Sequence, residues 1–146
     1  MLDFLLPEGV IVYINTKNES DSYSINSTKN VLIDNIPMVV LINNKTASAA
    51  ELFTSSLRDY EKVSVIGTLS YGKGCGQTMY YLSNGGVVKL TSFLYDPPFS
   101  DNYDGVGITP DITIELDEEY LETSLYLLDE SCDAQLLQAI EVLSHK

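Results

Sequence analysis

The chain is poor in the side chains that most often move protons and hold metals. Its 146 residues include one histidine, His145, and two cysteines, Cys75 and Cys132. His145 stands next to the last residue, where chains fray, so a Ser/His/Asp or Cys/His relay would have no base. No pair of Cys or His falls at metal-ligand spacing, and no Asp-x-Asp-x-Asp run is followed by a glycine. Neither a metal site nor a cofactor is therefore expected. The two cysteines allow at most one disulfide and read as free thiols. Positive charge is scarce as well: 8 basic residues face 21 acidic ones, a net charge of -13. Such a surface repels phosphate backbones and anionic lipid, which argues against nucleic acid as a partner. No apolar run approaches the ~18 residues of a spanning helix, so no membrane contact is expected from this segment. Met1-Leu2-Asp3-Phe4 has no basic start, long apolar region or cleavage site, and looks like the tail of an element cut mid-way.

What is present suits one soluble domain. A chain of this length buries nearly 70% of its unfolded surface, and its composition, 45% hydrophobic and 20% charged, is ordinary for a globular protein. Val10 to Ile14 reads as a strand, and the Asn/Ser-rich stretch from Asn18 to Lys29 as a surface hairpin or loop with an edge strand near Tyr23 to Ile25. Gln77 to Leu82 and Val87 to Phe93 form a hairpin around Asn84-Gly85. Ile112 to Leu116 alternates as a half-buried strand, and two helices are expected, over Glu118–Leu128 and Ala134–Leu143.

The centre of the chain is Pro37 to Tyr60. Met38 to Ile42 is a short buried strand, Asn43-Asn44 a turn, and Ala49, Leu52, Phe53, Leu57 and Tyr60 recur at helical spacing. A second apolar run, Val63 to Ile66, follows at once, which suggests a βαβ unit with parallel strands. Ser48 thus stands at a strand-turn-helix junction, beside the unpaired N–H groups and positive dipole end of a helix. Two readings follow. Ser48-Ala49-Ala50-Glu51 fits a capping box, in which the hydroxyl does no chemistry; the same junction would also present a serine nucleophile. With histidine excluded, the base of such a nucleophile would be a lysine or a carboxylate. Lys73 stands out, flanked by glycines in Tyr71-Gly72-Lys73-Gly74-Cys75-Gly76-Gln77. It could be a solvated loop lysine or a base, and the alternating glycines could form a phosphate cradle, although no Walker pattern is present.

Asn44-Lys45-Thr46-Ala47-Ser48-Ala49-Ala50-Glu51, Leu57-Arg58-Asp59, and Tyr71-Gly72-Lys73-Gly74 with Gln77 together resemble the carboxy-terminal processing proteases, the tail-specific serine peptidases of family S41. Leu90-Thr91 with Tyr95, Gly105-Val106-Gly107-Ile108-Thr109-Pro110-Asp111, and Gln135-Leu136 with Ala139 extend the likeness from about Phe4 to Leu143. The resemblance implies an α/β fold with a ClpP/crotonase-like spiral ββα core. It makes Ser48 the nucleophile, Lys73 the general base, Gln77 the residue orienting the lysine, and the Ala49 backbone N–H an oxyanion donor, with Glu51 and Asp59 structural. Asp59 is eleven residues past Ser48, about 16 Å along a helix. The family's upstream Gly-Gly segment and its PDZ module have no counterpart here, so residues 1–146 read as a partial catalytic domain, incomplete at its N-terminal side.

The expected activity is endoproteolysis by a Ser/Lys dyad, acting on unfolded or C-terminally tagged polypeptides in an extracytoplasmic compartment. As a fragment the chain is expected to be a weak peptidase and to form homodimers through uncovered apolar surface. A rival reading is a non-catalytic apolar-ligand or peptide-binding module, for which the dyad would not be retained; acyl-CoA chemistry on the same fold would want no Lys73. The mechanism also requires Lys73 to shed its proton near neutrality, although an unperturbed lysine does so near pH 10.4.

Overall fold

The computed structural model describes residues 1–29, 31–124 and 127–145. After one helical turn, α1 (Leu2–Leu5), strand β1 (Gly9–Thr16) runs through the middle of a four-stranded antiparallel sheet of order β2-β1-β6-β5. Its partners are β2 (Tyr23–Ser27) and β6 (Val87–Asp96), and β5 (Cys75–Tyr81) is the outer strand beyond β6. The β5–β6 hairpin turns at Gly85, whose φ of 85° is the conformation expected of an Asn-Gly turn.

A second sheet is parallel. Strand β3 (Met38–Ile42) leads through a tight turn into helix α2 (Ala49–Asp59), and β4 (Val63–Gly67) returns beside β3 with Met38 opposite Val63 and Ile42 opposite Gly67. This is the expected βαβ unit. Gly67 has φ 132°, and a Cβ there would stand 1.9 Å from the Ile42 carbonyl oxygen, so only glycine lets the two strands end this close together. A short third strand, β7 (Ile112–Thr113), pairs with Ile66 and Gly67.

The core lies between the two sheets. Leu6, Val12 and Ile14 meet Ile42, Leu57, Val63, Val65, Tyr95, Tyr103 and Ile108, all buried. Helix α2 packs on β1 and β4 with an unexpected face. Glu51, Thr54, Ser55, Ser56 and Leu57 are buried, while Ala49 and Ala50 face solvent. The small hydroxyls are satisfied: Thr54 donates to the Ala50 carbonyl, and Ser56 to the Leu52 carbonyl of its own helix and to the Ile11 carbonyl of β1. Short side chains that bond back to their own helix let it approach β1 closely without leaving unpaired polar atoms.

Two sequence expectations change. The strand over Ile112–Leu116 is only two residues long, because β4 ends at Gly67; the Ile114 N–H takes the Gly67 carbonyl, and the Ile114 carbonyl accepts from the Gln135 side chain. The helix over Glu118–Leu128 is a single 3-10 turn at Glu118–Tyr120, then isolated turns through Thr123 and Ser124; Leu125 and Tyr126 lie outside the described residues. Glu118 and Glu122 would repel each other one helical turn apart, and Leu121 and Leu127 are exposed, so no apolar face is buried to hold the helix together. Helix α3 (Ala134–Ser144) forms as expected, its N-terminus capped by the Asp133 carboxylate accepting from the Leu136 N–H. It packs against β3 and β4 through the buried Gln135 and Ala139, leaving Leu137, Ile140 and Leu143 exposed.

Candidate active site

The β3–α2 turn places Ser48 at the helix N-cap with φ 58° and ψ -117°. An ordinary N-cap serine has extended backbone and turns its hydroxyl onto the first N–H groups of its helix. Ser48 departs from this in its backbone, which occupies a region that non-glycine residues rarely enter. The capping box expected with Glu51 is present: the Ser48 side chain faces the Glu51 N–H, and the Ser48 N–H donates to Glu51 Oε2 at 2.8 Å. The turn is braced from both sides: the Asn43 N–H donates to Thr46 Oγ1 and the Tyr71 N–H to the Thr46 carbonyl.

Glu51 is wholly buried, and its carboxylate ties three stretches together. Oε1 accepts from Ser70 Oγ at 2.5 Å and from the Gly72 N–H at 2.6 Å; Oε2 accepts from the N–H groups of Ser48 and Lys73, each at 2.8 Å. One carboxylate oxygen thus holds the backbones of both the candidate nucleophile and the candidate base, within two hydrogen-bond lengths of each other. The Lys73 loop is clamped from its other side by residues 102–108. Asp104 Oδ1 accepts from the Gly74 N–H, the Gly105 N–H donates to the Gly72 carbonyl, and the Ile108 N–H donates to Ser70 Oγ. Gly72 and Gly107 both have φ 86°; a Cβ on Gly72 would stand 2.8 Å from the Gly107 nitrogen, and one on Gly107 would stand 2.6 Å from the Ser70 carbonyl oxygen.

The Ser48 hydroxyl lies 3.0 Å from Tyr95 Oη, and the same phenol donates to the Lys73 carbonyl at 2.8 Å. A phenol has one proton, already given to a group that can only accept, so in the contact with Ser48 the serine is the donor. Tyr95 is buried, which pushes its phenol above the ordinary tyrosine range, with the Ser48 hydrogen bond working in the opposite direction. Burial also raises the neighbouring Cys75 thiol, as does Asp104, while the nearby Lys73 works to lower it. Cys75 and Cys132 are both free.

The structure therefore brings together Ser48, Glu51 and the main chain of Lys73. It does not join the Lys73 amine to Ser48: among the described residues that amine makes no hydrogen bond or ion pair. Gln77 is exposed on β5, just past a register shift at Gly76/Gln77, and is not bonded to Lys73. Ala49 is exposed at the first position of α2, where a backbone N–H has no acceptor within the helix. Asp59 stands at the far end of α2, where its carboxylate accepts from the N–H groups of Phe99 and Ser100 and fastens the loop after β6. Tyr95 is the residue that the sequence reading passed over as a site group. Its one signal was its place in the Leu90-Thr91 signature, which says nothing of where the hydroxyl points. Among the described residues, no three His, Cys, Asp or Glu side chains cluster as metal ligands.

A carboxy-terminal-processing protease of Bartonella bacilliformis is 38% identical over 120 residues, covering 81% of this chain and 28% of its own length. The chloroplastic carboxyl-terminal-processing peptidase 2 of Arabidopsis thaliana is 38% identical over 109 residues, covering 74% and 21%. The chain thus spans less than a third of the length of these curated relatives. Among solved structures, a photosystem II D1 C-terminal processing protease superposes with a TM-score of 0.70 at 29% identity, over 77% of this chain and 29% of that one. A lipoprotein from Streptococcus agalactiae shares the fold, with a TM-score of 0.70 at 19% identity over 99% of this chain and 47% of that one. Residues 1–114 match the profile of peptidase family S41. On that match and these relatives, the chain belongs to peptidase family S41.

Proposed function

We propose that this chain carries the nucleophile and the base of a serine endopeptidase of the C-terminal processing type, Ser48 and Lys73. The observation that supports this most is the Ser48 backbone. A positive φ in a β-strand-to-helix turn, held by a buried carboxylate that also holds the Lys73 N–H, has no use in a helix that merely needs starting. It is the arrangement that exposes a nucleophile at the end of a strand.

In the proposed reaction the neutral Lys73 amine takes the Ser48 proton as Oγ attacks the carbonyl carbon of a peptide bond. The resulting oxyanion receives the Ala49 N–H, whose position at the start of α2 adds the positive end of the helix dipole. Lys73 then returns the proton to the leaving amine, and water repeats the sequence on the acyl-enzyme. To act, the Lys73 side chain must swing from its present position onto Ser48, a motion that its four rotatable bonds permit while Glu51 and Tyr95 hold its backbone. Gln77 would then accept a hydrogen bond from the neutral amine without adding charge. The substrates are polypeptides with an accessible, unstructured or tagged C-terminal region, and the working compartment is extracytoplasmic. Among the described residues no helix is long and apolar enough to cross a membrane.

The test is covalent labelling. A fluorophosphonate should attach to one residue, with the added mass on the peptide containing Ser48, and Ser48→Ala should abolish it. Absence of label on the folded protein, or label retained after Ser48→Ala, would leave Ser48 as a helix-start residue and favour the binding-module reading.

A further inference from the structure

Tyr95 bonds the side chain of one half of the proposed dyad and the main chain of the other. Its hydroxyl takes a hydrogen bond from Ser48 Oγ at 3.0 Å and donates to the Lys73 carbonyl at 2.8 Å. Its ring is buried and fixed, tilted against Phe93 at 6.3 Å and edge-on to Tyr103 at 6.3 Å. Tyr95 also lies at the inner end of β6, where its N–H donates to the Gly74 carbonyl and its carbonyl accepts from the Asn102 side chain. One residue thus grips the lysine loop at Lys73 and Gly74 and meets the serine through a single phenol oxygen.

We propose that Tyr95 is a positioning residue for the reaction, setting the distance between nucleophile and base by bonding the Ser48 side chain and the Lys73 main chain at once. This rests on the reading of Ser48 and Lys73 as the dyad. The Glu51 carboxylate fixes where the two backbones sit, but it makes no bond to the Ser48 hydroxyl. The phenol selects the one rotamer that faces the lysine loop, and a serine with a single populated rotamer reaches attack geometry more often than one with three. The phenol is not a base, because its proton is committed to the Lys73 carbonyl. Besides Ser48 and Lys73, the titratable groups around it are Glu51, Cys75, Tyr103 and Asp104.

The experiment measures the second-order rate of inactivation by diisopropyl fluorophosphate from pH 6 to 9, for wild type, Tyr95→Phe and Tyr103→Phe. Phe at position 95 keeps the ring and its packing and removes only the oxygen. Tyr95→Phe is expected to react about tenfold more slowly, to cut kcat on an unstructured peptide by the same factor with KM within about twofold, and to shift the rising limb of its pH profile to higher pH as the lysine loop loosens. Tyr103→Phe, which loses a hydroxyl bonded to neither Ser48 nor Lys73, should match wild type. If Tyr95→Phe fails to fold, 3-fluorotyrosine at position 95 replaces it. That residue keeps both hydrogen bonds and should match wild type; a tenfold loss there would overturn the proposal. Equal rates for wild type and Tyr95→Phe, or an equal loss in Tyr103→Phe, would overturn the role of Tyr95 and leave the dyad standing. A wild type unreactive at every pH would overturn the dyad and Tyr95 with it.

Discussion

Replacing Glu51 by glutamine changes one oxygen to NH2 and should cost this protein far more than its size suggests. The wholly buried carboxylate accepts four hydrogen bonds, from Ser48 N, Ser70 Oγ, Gly72 N and Lys73 N. A glutamine in the same rotamer keeps one acceptor oxygen, which serves two of these donors, and turns a hydrogen-bearing nitrogen toward the other two. Whichever way the amide flips, the NH2 faces at least one backbone N–H that has no second acceptor. Each buried donor left unsatisfied costs about 1–3 kcal/mol, so the pair amounts to roughly 2–6 kcal/mol. For a domain near 150 residues each kcal/mol lowers the melting temperature by roughly 2–4 °C. Glu51→Gln should therefore melt about 5–20 °C below wild type by circular dichroism at pH 7. The Lys73 loop should open first, seen as faster hydrogen exchange at the Gly72 or the Lys73 amide, since these bond different carboxylate oxygens and one of them must face the NH2. A melting point within about 2 °C of wild type, with those amides still protected, would refute the role given to the carboxylate.

Two further outcomes follow from the packing. Gly67→Ala would drive a Cβ to 1.9 Å from the Ile42 carbonyl at a φ of 132°, so the β3–β4 ends must separate; a loss of about 2–4 kcal/mol in urea unfolding is expected, and a loss under 0.5 kcal/mol would contradict the contact. Tyr103 is buried, its hydroxyl has no hydrogen-bond partner among the described residues, and burial raises its phenol above the ordinary range. The folded state therefore keeps a proton that the unfolded chain releases near pH 10, and stability present below that pH falls above it by up to about 1.4 kcal/mol per pH unit. Tyr103→Phe should flatten this alkaline loss between pH 10 and 11 and should not destabilise the fold at pH 7; an unchanged slope in urea titrations would show that Tyr103 ionises freely.

The βαβ unit was legible because its signals are local. The β-branched run of β3, the turn at Asn43-Asn44 and the spacing along α2 each depend on neighbours in sequence, and the parallel pairing of β3 with β4 follows from chain direction. The motifs around Ser48 and Lys73 were equally legible as an S41 likeness. What sequence did not show was how they meet. Glu51 read as half of a capping box, because its bond to the Ser48 N–H is local, whereas its bonds to Ser70, Gly72 and Lys73 cross 19 to 22 residues. Tyr95 is 47 residues from Ser48, and nothing in the alternation of β6 says which group its hydroxyl finds. The buried serines of α2 misled the pattern for another reason: Thr54 and Ser56 satisfy themselves on their own helix and so can be interior while reading as polar. The helix expected over Glu118–Leu128 fails for the converse reason: among the described residues, Leu121 and Leu127 are apolar yet stand exposed.

The central claim is that Lys73 removes the proton from Ser48, and a pH–rate profile of Lys73→Arg tests it most directly. Guanidinium stays protonated throughout, so it can reproduce the charge and reach of lysine but cannot accept a proton. The account expects Lys73→Arg and Lys73→Ala to lose peptide hydrolysis alike at every pH from 6 to 9, with Ser48→Ala equally inactive and all three folded. Near-normal turnover by Lys73→Arg across that range, with the wild-type pH dependence, would contradict it.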